Sequence, residues 1–406
     1  MEKRAFVKTM MSTLTCVILS TSVTTACSDD DTPAKKTPTP TTNEASMISD
    51  QAKLDMIYSL VDLEGNKGRI YEMTYTVDYK LDDAINFGID GQTKLEQFVG
   101  AYLMDNTKGK STSLAYDAGC SAFAAPDKST GDFLMGRNFD FNHWDKDSNR
   151  IDIPVIVVHT APKGGKKSVS FVDGYFVKYK KGFYTAPNTD LSMLMALPYL
   201  LLDGINEDGF AISVLKLDGK PTRQTDASKK TVFTTVAMRM LLDRASTVKE
   251  ATAMLDKYNM CMDRDTASYH FFMADATGDY AIVEYTGKDV NIKNPTNMET
   301  LWQNDTLRCV TNFYVSPTMR ETVFGGYSHH GRDRYDTLRA GLLKYNYNVT
   351  PAQGLELMKT VAQGPNDEKS STGFTQWTEM YNLTKRRLTM NLTREWDKTF
   401  EFGIEQ

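Results

Sequence analysis

Cysteine is scarce in this chain: the five present among 406 residues are an odd number, widely spaced, with no Cys-x-x-Cys pair. That excludes a disulfide scaffold and a zinc site. Histidine is as scarce, and His143, His159, His270, His329 and His330 lack metal-ligand spacing; the one adjacent pair would point to opposite faces of a strand. No metal and no cofactor are therefore expected. Basic charge is not in excess, and a formal net charge of −5 argues against a nucleic-acid partner. The apolar run around Val17-Ile18-Leu19 is too short to cross a bilayer as a stable helix. What remains is ordinary apolar and charged content in a length that suits one large domain or two smaller ones.

Residues 1–27 carry Lys3, Arg4 and Lys8, then that short apolar run, then small residues up to Ala26 and Cys27. This is the pattern of an export signal, which leaves the fold and takes Cys16 with it. A small residue before Cys27 with Ser28-Asp29-Asp30-Asp31 after it resembles a bacterial lipoprotein signal, and the acidic run resembles the export signal of surface lipoproteins in Bacteroidota. The resemblance implies lipidation at Cys27 and a membrane anchor. It places the protein on the outer membrane or cell surface of a Gram-negative bacterium, with the periplasm, or plain secretion, as the alternative. Residues 28–47, mostly Thr, Pro, Lys and Asn, have no apolar period and read as a disordered tether.

Residues 48–119 are too well patterned for a linker. Ile57, Leu60 and Val61 stand at helical spacing, residues 69–75 alternate, and residues 94–104 form an amphipathic helical pattern. Further on, residues 153–158, 168–172 and 210–215 read as strands, 191–202 as strand or buried helix, and 231–255 as two consecutive helices. Residues 270–274, 280–285 and 308–315 read as strands, 335–345 and 352–362 as helices, and 374–402 as strands with turns. Strands, helices and strands again fit a sandwich of two mainly antiparallel sheets between helical layers.

The chemistry concentrates at Ala118-Gly119-Cys120-Ser121-Ala122-Phe123 and the stretch from Asp132 to Phe141. A cut between Gly119 and Cys120 would give Cys120 a free α-amine, making it a nucleophile that carries its own base. The Pro126 to Gly131 turn would fold Arg137 and Asp140 back beside it. A guanidinium a few ångström away lowers a thiol pKa by roughly 1–3 units, and a carboxylate can orient the amine. Taken alone, a cysteine is more often a small buried hydrophobe, and Cys261 and Cys309 read that way. No papain-type signature surrounds Cys120.

A cysteine that opens a strand, followed by a turn and Gly136-Arg137-Asn138-x-Asp140, resembles the choloylglycine hydrolase family of N-terminal-nucleophile amidases. That family includes bile salt hydrolases, penicillin V acylases and, more distantly, acid ceramidase-like enzymes. Similar segments follow in order: Asp203-Gly204-Ile205-Asn206-Glu207-Asp208-Gly209-Phe210, then residues 269–278, then Val310-Thr311-Asn312, then Asp333-Arg334-Tyr335. The resemblance runs from about residue 120 to the C-terminus. It implies an α+β fold, the four-layer αββα sandwich of N-terminal-nucleophile hydrolases.

It also implies cleavage between Gly119 and Cys120, with 48–119 kept as a bound small subunit of the 120–406 domain. The implied site is Cys120 as nucleophile, Arg137 and Asp140 beside it, Asn312 as oxyanion donor and Arg334 as a second active-site arginine. The expected activity is exported hydrolysis of linear C–N amides, most of all conjugated bile salts. N-acyl amides, N-acylethanolamines and penicillin V-type substrates are the alternatives. From another class comes a surface lipoprotein that only binds ligand, with Cys120 never exposed. A homo-oligomer stays open. Asp203 and Asn206 read first as turn residues. Asn312, in a β-branched stretch, needs a partner for its amide. Where many bile salt hydrolases have an Asn this chain has Lys216, which weighs against a second side-chain oxyanion donor and a bile-salt preference.

Overall fold

Residues 44–105, 118–145, 147, 150–262, 267–287, 296–303, 308–320, 330–364 and 373–404 are described by a computed structural model, and all fall within the unit 39–406. The expected signal, Cys27, most of the tether and His329 lie outside the described residues.

Two sheets face each other. The smaller is antiparallel throughout, in the order Cys309–Val310, Ala118–Pro126, Phe133–Phe141, Thr375–Asn382, Arg387–Leu392, Phe400–Gly403. The larger has nine strands, in the order Val61–Asp62, Ile70–Tyr75, Val155–Thr160, Ser168–Asp173, Asp203–Asn206, Ala211–Asp218, Ala267–Ala274, Tyr280–Thr286, Asn297–Trp302. Its one parallel pairing joins Ile70–Tyr75 to Val155–Thr160. Helices Thr234–Arg244 and Val248–Leu255 cover the large sheet, and helices Arg332–Lys344 and Pro351–Val361 cover the small one. The Ala118–Pro126 and Ala211–Asp218 strands meet across the interior. This is an α+β, four-layer αββα sandwich.

Layering explains the sequence patterns. All nine residues of Phe133–Phe141 are buried, because one face meets the opposite sheet and the other meets the helices, so Arg137, Asn138 and Asp140 among them must find their partners inside. Its hairpin turn is fixed by Asp127, whose Oδ1 accepts from the Ser129 N–H at 2.9 Å and the Ser129 hydroxyl at 2.6 Å. Helix Pro351–Val361 starts on a reciprocal Thr350/Gln353 capping box with Pro at its first turn.

Several expectations shift. Residues 191–202 are neither strand nor α-helix: a buried 3-10 helix spans Leu191–Tyr199, with Pro198 inside it. The helical pattern at 231–255 begins with a strand, Lys230–Phe233, paired in parallel with Tyr258–Cys261. The amphipathic pattern at 94–104 is an α-helix, Gln92–Phe98, that widens into a π turn, Val99–Leu103. The strand expected at 308–315 is only Cys309–Val310, so Asn312 lies beyond it. Side chains take over its backbone partners there. His270 Nε2 contacts the Thr311 carbonyl at 2.8 Å, and Glu284 accepts from the N–H groups of Val315 and Ser316 at 2.9 and 3.0 Å. Residues 44–105 are built into the body through two strands of the large sheet. Tyr75 donates to the Met195 carbonyl at 2.9 Å and Tyr79 to Asp243 Oδ2 at 2.6 Å.

Candidate active site

Cys120 is the third residue of its strand and stands opposite Phe139; Ala122 stands opposite Arg137 and Gly119 opposite Asp140. Cross-strand partners share a face and neighbours alternate, so Cys120 and Arg137 look into the layer between the sheets. Asp140 looks toward the helices. The hairpin brings both residues to Cys120, as the sequence leads one to expect, but from opposite faces of one sheet.

On the inner face Arg137 is fully buried. Its Nε lies 2.9 Å from Asp203 Oδ2, and its Nη2 donates to the carbonyls of Val214 at 3.0 Å and Leu202 at 3.5 Å. Phe139 lies under the guanidinium, 5.4 Å from ring centroid to Cζ. Burial disfavours this cation, and Asp203 with the nearby Cys120 thiol more than restores it, so the guanidinium pKa ends above its ordinary value. Asp203 thus does more than make a turn. Asn206 is the turn residue, its oxygen accepting from the Asp208 and Phe210 N–H groups at 3.1 Å each.

On the outer face Asp140 Oδ1 accepts from the Thr375 hydroxyl at 2.6 Å. Its Oδ2 accepts from Gln363 Nε2 at 2.7 Å and faces Arg334 Nη1 at 3.5 Å. Arg334 is the bridge. Its Nη1 donates to the Cys120 carbonyl at 2.6 Å and its Nη2 to Asn312 Oδ1 at 2.8 Å. Gly331 makes room for it at the helix start: its φ is +83°, and a Cβ there would sit 2.6 Å from Arg334 Nη2. A Cβ at Gly119 would fall 2.4 Å from Gln363 Nε2, which would have to move off Asp140 to make room.

Asn312 receives the Cys120 N–H on Oδ1 at 2.7 Å and donates from Nδ2 to the Lys216 carbonyl at 2.9 Å. The amide orientation follows from these partners, because the reverse would set NH2 against a guanidinium and oxygen against a carbonyl. Asn312 therefore serves the Cys120 nitrogen with its oxygen, and the donor its residue type offers to an oxyanion is engaged by Lys216. Lys216 enters the site through its backbone.

Burial pushes the Cys120 thiol above its ordinary value. Arg137, the Asp140 backbone N–H and Arg334 favour the thiolate, and the Asp140 charge opposes it. Burial raises the Asp140 carboxyl too, with Arg334, Thr375 and Gln363 working against it. A reaction through the Cys120 thiolate would need a base, and an α-amine at the same residue would be one. Gln363, Thr375, His270, Glu284 and Glu379 were not read as site residues from the sequence. Each reaches the site across more than a hundred residues of chain, and only the motif around His270 gave a signal.

Residues 120–306 match the family of linear amide C-N hydrolases, choloylglycine hydrolase family. No curated protein matches the sequence significantly. Among solved structures, a mutant and a variant of the conjugated bile acid hydrolase from Clostridium perfringens each share 14% identity, over 70% of this chain and 92% of theirs, with a TM-score of 0.46. Penicillin V acylase from Agrobacterium tumefaciens shares 16% identity, over 70% of this chain and 86% of its own, with a TM-score of 0.46.

Proposed function

We propose that the chain is an exported, lipid-anchored cysteine amidase that activates itself by cutting Gly119–Cys120 and then hydrolyses acyl amides, conjugated bile salts first. One observation carries the reading: both backbone polar atoms of Cys120 are held by side chains, its nitrogen by Asn312 and its carbonyl by Arg334, at the residue where the family match begins.

In the first step the Cys120 thiol attacks the Gly119 carbonyl, the Gly119–Cys120 C–N bond breaks, and the acyl group moves to sulfur while the nitrogen takes a proton. Water then hydrolyses the thioester, leaving a Gly119 carboxylate and a free amine on Cys120. That amine, with a reference pKa of about 8, takes the thiol proton near neutral pH. The thiolate attacks the substrate carbonyl, the leaving amine departs with the proton, and water releases the acid. Asn312 Oδ1 and Asp140 orient the Cys120 amine, and Arg137 favours the thiolate. The 44–105 segment stays bound as a small subunit, since its strand is shared with the large sheet. Its size also favours long-chain N-acyl amides as the second substrate class.

The test combines intact mass with a panel of conjugated bile acids, N-acyl amino acids, N-acylethanolamines and penicillin V. Two fragments, the second starting at Cys120, and one uncut chain in Cys120→Ala are expected. A fully active uncut protein would sink self-activation, and an uncut inactive one would favour a ligand-binding lipoprotein.

A further inference from the structure

Glu379, in the strand Thr375–Asn382, stands opposite Arg137 and is as fully buried as Arg137 and Asp203. One cation thus meets two carboxyl groups where water does not reach. Two carboxylates sharing such a site cannot both ionise. The two are not equivalent. Asp203 has Arg137 Nε at 2.9 Å and the Tyr381 hydroxyl at 3.3 Å. Among the described residues no backbone N–H or cation donates to either Glu379 oxygen. The ionisable groups that act on its carboxyl are Asp203, Arg137 and Tyr381.

We propose that Glu379 is a positioning residue held as the neutral acid, turning its proton to the Asp203 carboxylate so that Arg137 keeps a single counter-charge. Arg137 Nη1, which meets no acceptor among the described residues, then stays available to the Cys120 thiolate. The inference rests on reading Cys120 as the nucleophile. Burial, then the Asp203 charge, pushes the Glu379 carboxyl well above the usual carboxylate range, while Arg137 pulls the other way. The groups facing it are Arg137 from Phe133–Phe141, Asp203 from Asp203–Asn206 and Tyr381 from its own strand; the strand on its other side presents only Met390. Beyond Arg137 the next ionisable group is Cys120 itself. An ionised Glu379 would change the net charge of the trio from zero to −1 and set it against the thiolate.

The charge state is read by infrared spectroscopy on the full chain in deuterium oxide at neutral pH. A protonated-carboxyl C=O band should be present, persist in Cys120→Ala and vanish in Glu379→Gln. Spectra of wild type and Glu379→Gln that match in this region would overturn the neutral acid, whether or not the chain cuts itself. The positioning role is read on cut enzyme by the pH profile of Cys120 alkylation with iodoacetamide and by turnover of a glycine-conjugated bile acid. Glu379→Leu should shift the profile and lower kcat roughly tenfold or more with little change in KM, the weight of a hydrogen bond to a charged group. Glu379→Gln should restore most of both. A Leu variant that melts early but alkylates with the wild-type profile would reduce Glu379 to a structural role.

Discussion

Two arginines, Arg137 and Arg239, are wholly buried, each beside an aspartate, and yet they serve different ends. Arg239, on helix Thr234–Arg244, meets Asp243 and the Ser168 hydroxyl at 2.6 Å each, and Tyr79 both lies under its guanidinium and donates to Asp243. Tyr199 donates in turn to the Tyr79 carbonyl at 2.5 Å. Everything around Arg239 that titrates is a phenol or its own aspartate, so the cluster fastens the 44–105 segment to the body. Around Arg137 stand a thiol and a second carboxyl. The same ion pair is a clamp in one place and, on the proposed function, a charge reservoir for the Cys120 nucleophile in the other, and the neighbours decide which.

The largest effects should come from breaking each pair. Arg137→Lys keeps a cation but loses the planar fork that reaches Asp203 and two carbonyls at once, so turnover should fall by about two orders of magnitude in a chain that still folds. Arg239→Met leaves Asp243 buried without its cation and should cost about 3–5 kcal/mol of stability, with turnover per folded molecule unchanged. Chemical denaturation alongside steady-state kinetics reads both. If Arg239→Met lowered kcat as Arg137→Lys does, the two clusters would not be separable.

Asn312 sits where the inner and outer faces of the site join. Asn312→Ala removes the acceptor for the Cys120 nitrogen and for Arg334, and the resulting misplacement of Cys120 should reduce turnover of already cut enzyme by about 10²-fold or more. It also leaves the Lys216 carbonyl without its donor, so melting should drop by the equivalent of about 1–3 kcal/mol. A cut variant that melts early and turns over normally would remove Asn312 from the chemistry. A smaller change, Tyr79→Phe, deletes one buried bond to Asp243. In protein cut at Cys120 as proposed, it should weaken retention of the N-terminal fragment by about 1–3 kcal/mol and leave kcat alone, as read by the denaturant needed to separate the fragments.

Much of this was legible in the sequence, for a physical reason. Cys120, Arg137 and Asp140 belong to one hairpin whose turn chemistry and alternation are local, so their proximity follows from spacing. That Arg137 and Asp140 take opposite faces also follows from an odd separation on a strand. The partners that give these residues their charge states do not follow. Glu379 meets Arg137, and Gln363 and Thr375 meet Asp140, through strand order and register set more than two hundred residues away, which no local period encodes. The same holds for Asn312. Its residue type points to an amide donor, but only the bend after Cys309–Val310 and the nearness of Lys216 show which end of the amide faces Cys120.

The smallest predicted effect separates carboxyls raised by burial from one lowered by its cation partners. Burial raises the Asp140, Asp203 and Glu379 carboxyls, so protonating these groups favours the folded state and they add nothing to acid destabilisation. Glu64 behaves in the opposite sense. It accepts from Arg69 Nε and Nη2 at 2.6 Å each and pairs with Lys398, and Arg69 also pairs with Glu395, so this cluster ties the N-terminal segment to the end of the chain. The Arg69 hydrogen bond, helped by Lys398 and opposed by burial, lowers the Glu64 pKa from 4.5 to about 2. A folded pKa below the unfolded one means that the folded state binds fewer protons. Its contribution is therefore complete above the unfolded value and is lost as pH falls from 4.5 toward about 2. Wild-type melting temperature should fall across that window, and Glu64→Gln should flatten the fall while melting lower at neutral pH. Equal slopes in the two proteins would mean that acid sensitivity is seated elsewhere, with Glu395, whose carboxyl Arg69 also lowers, as the next group to substitute.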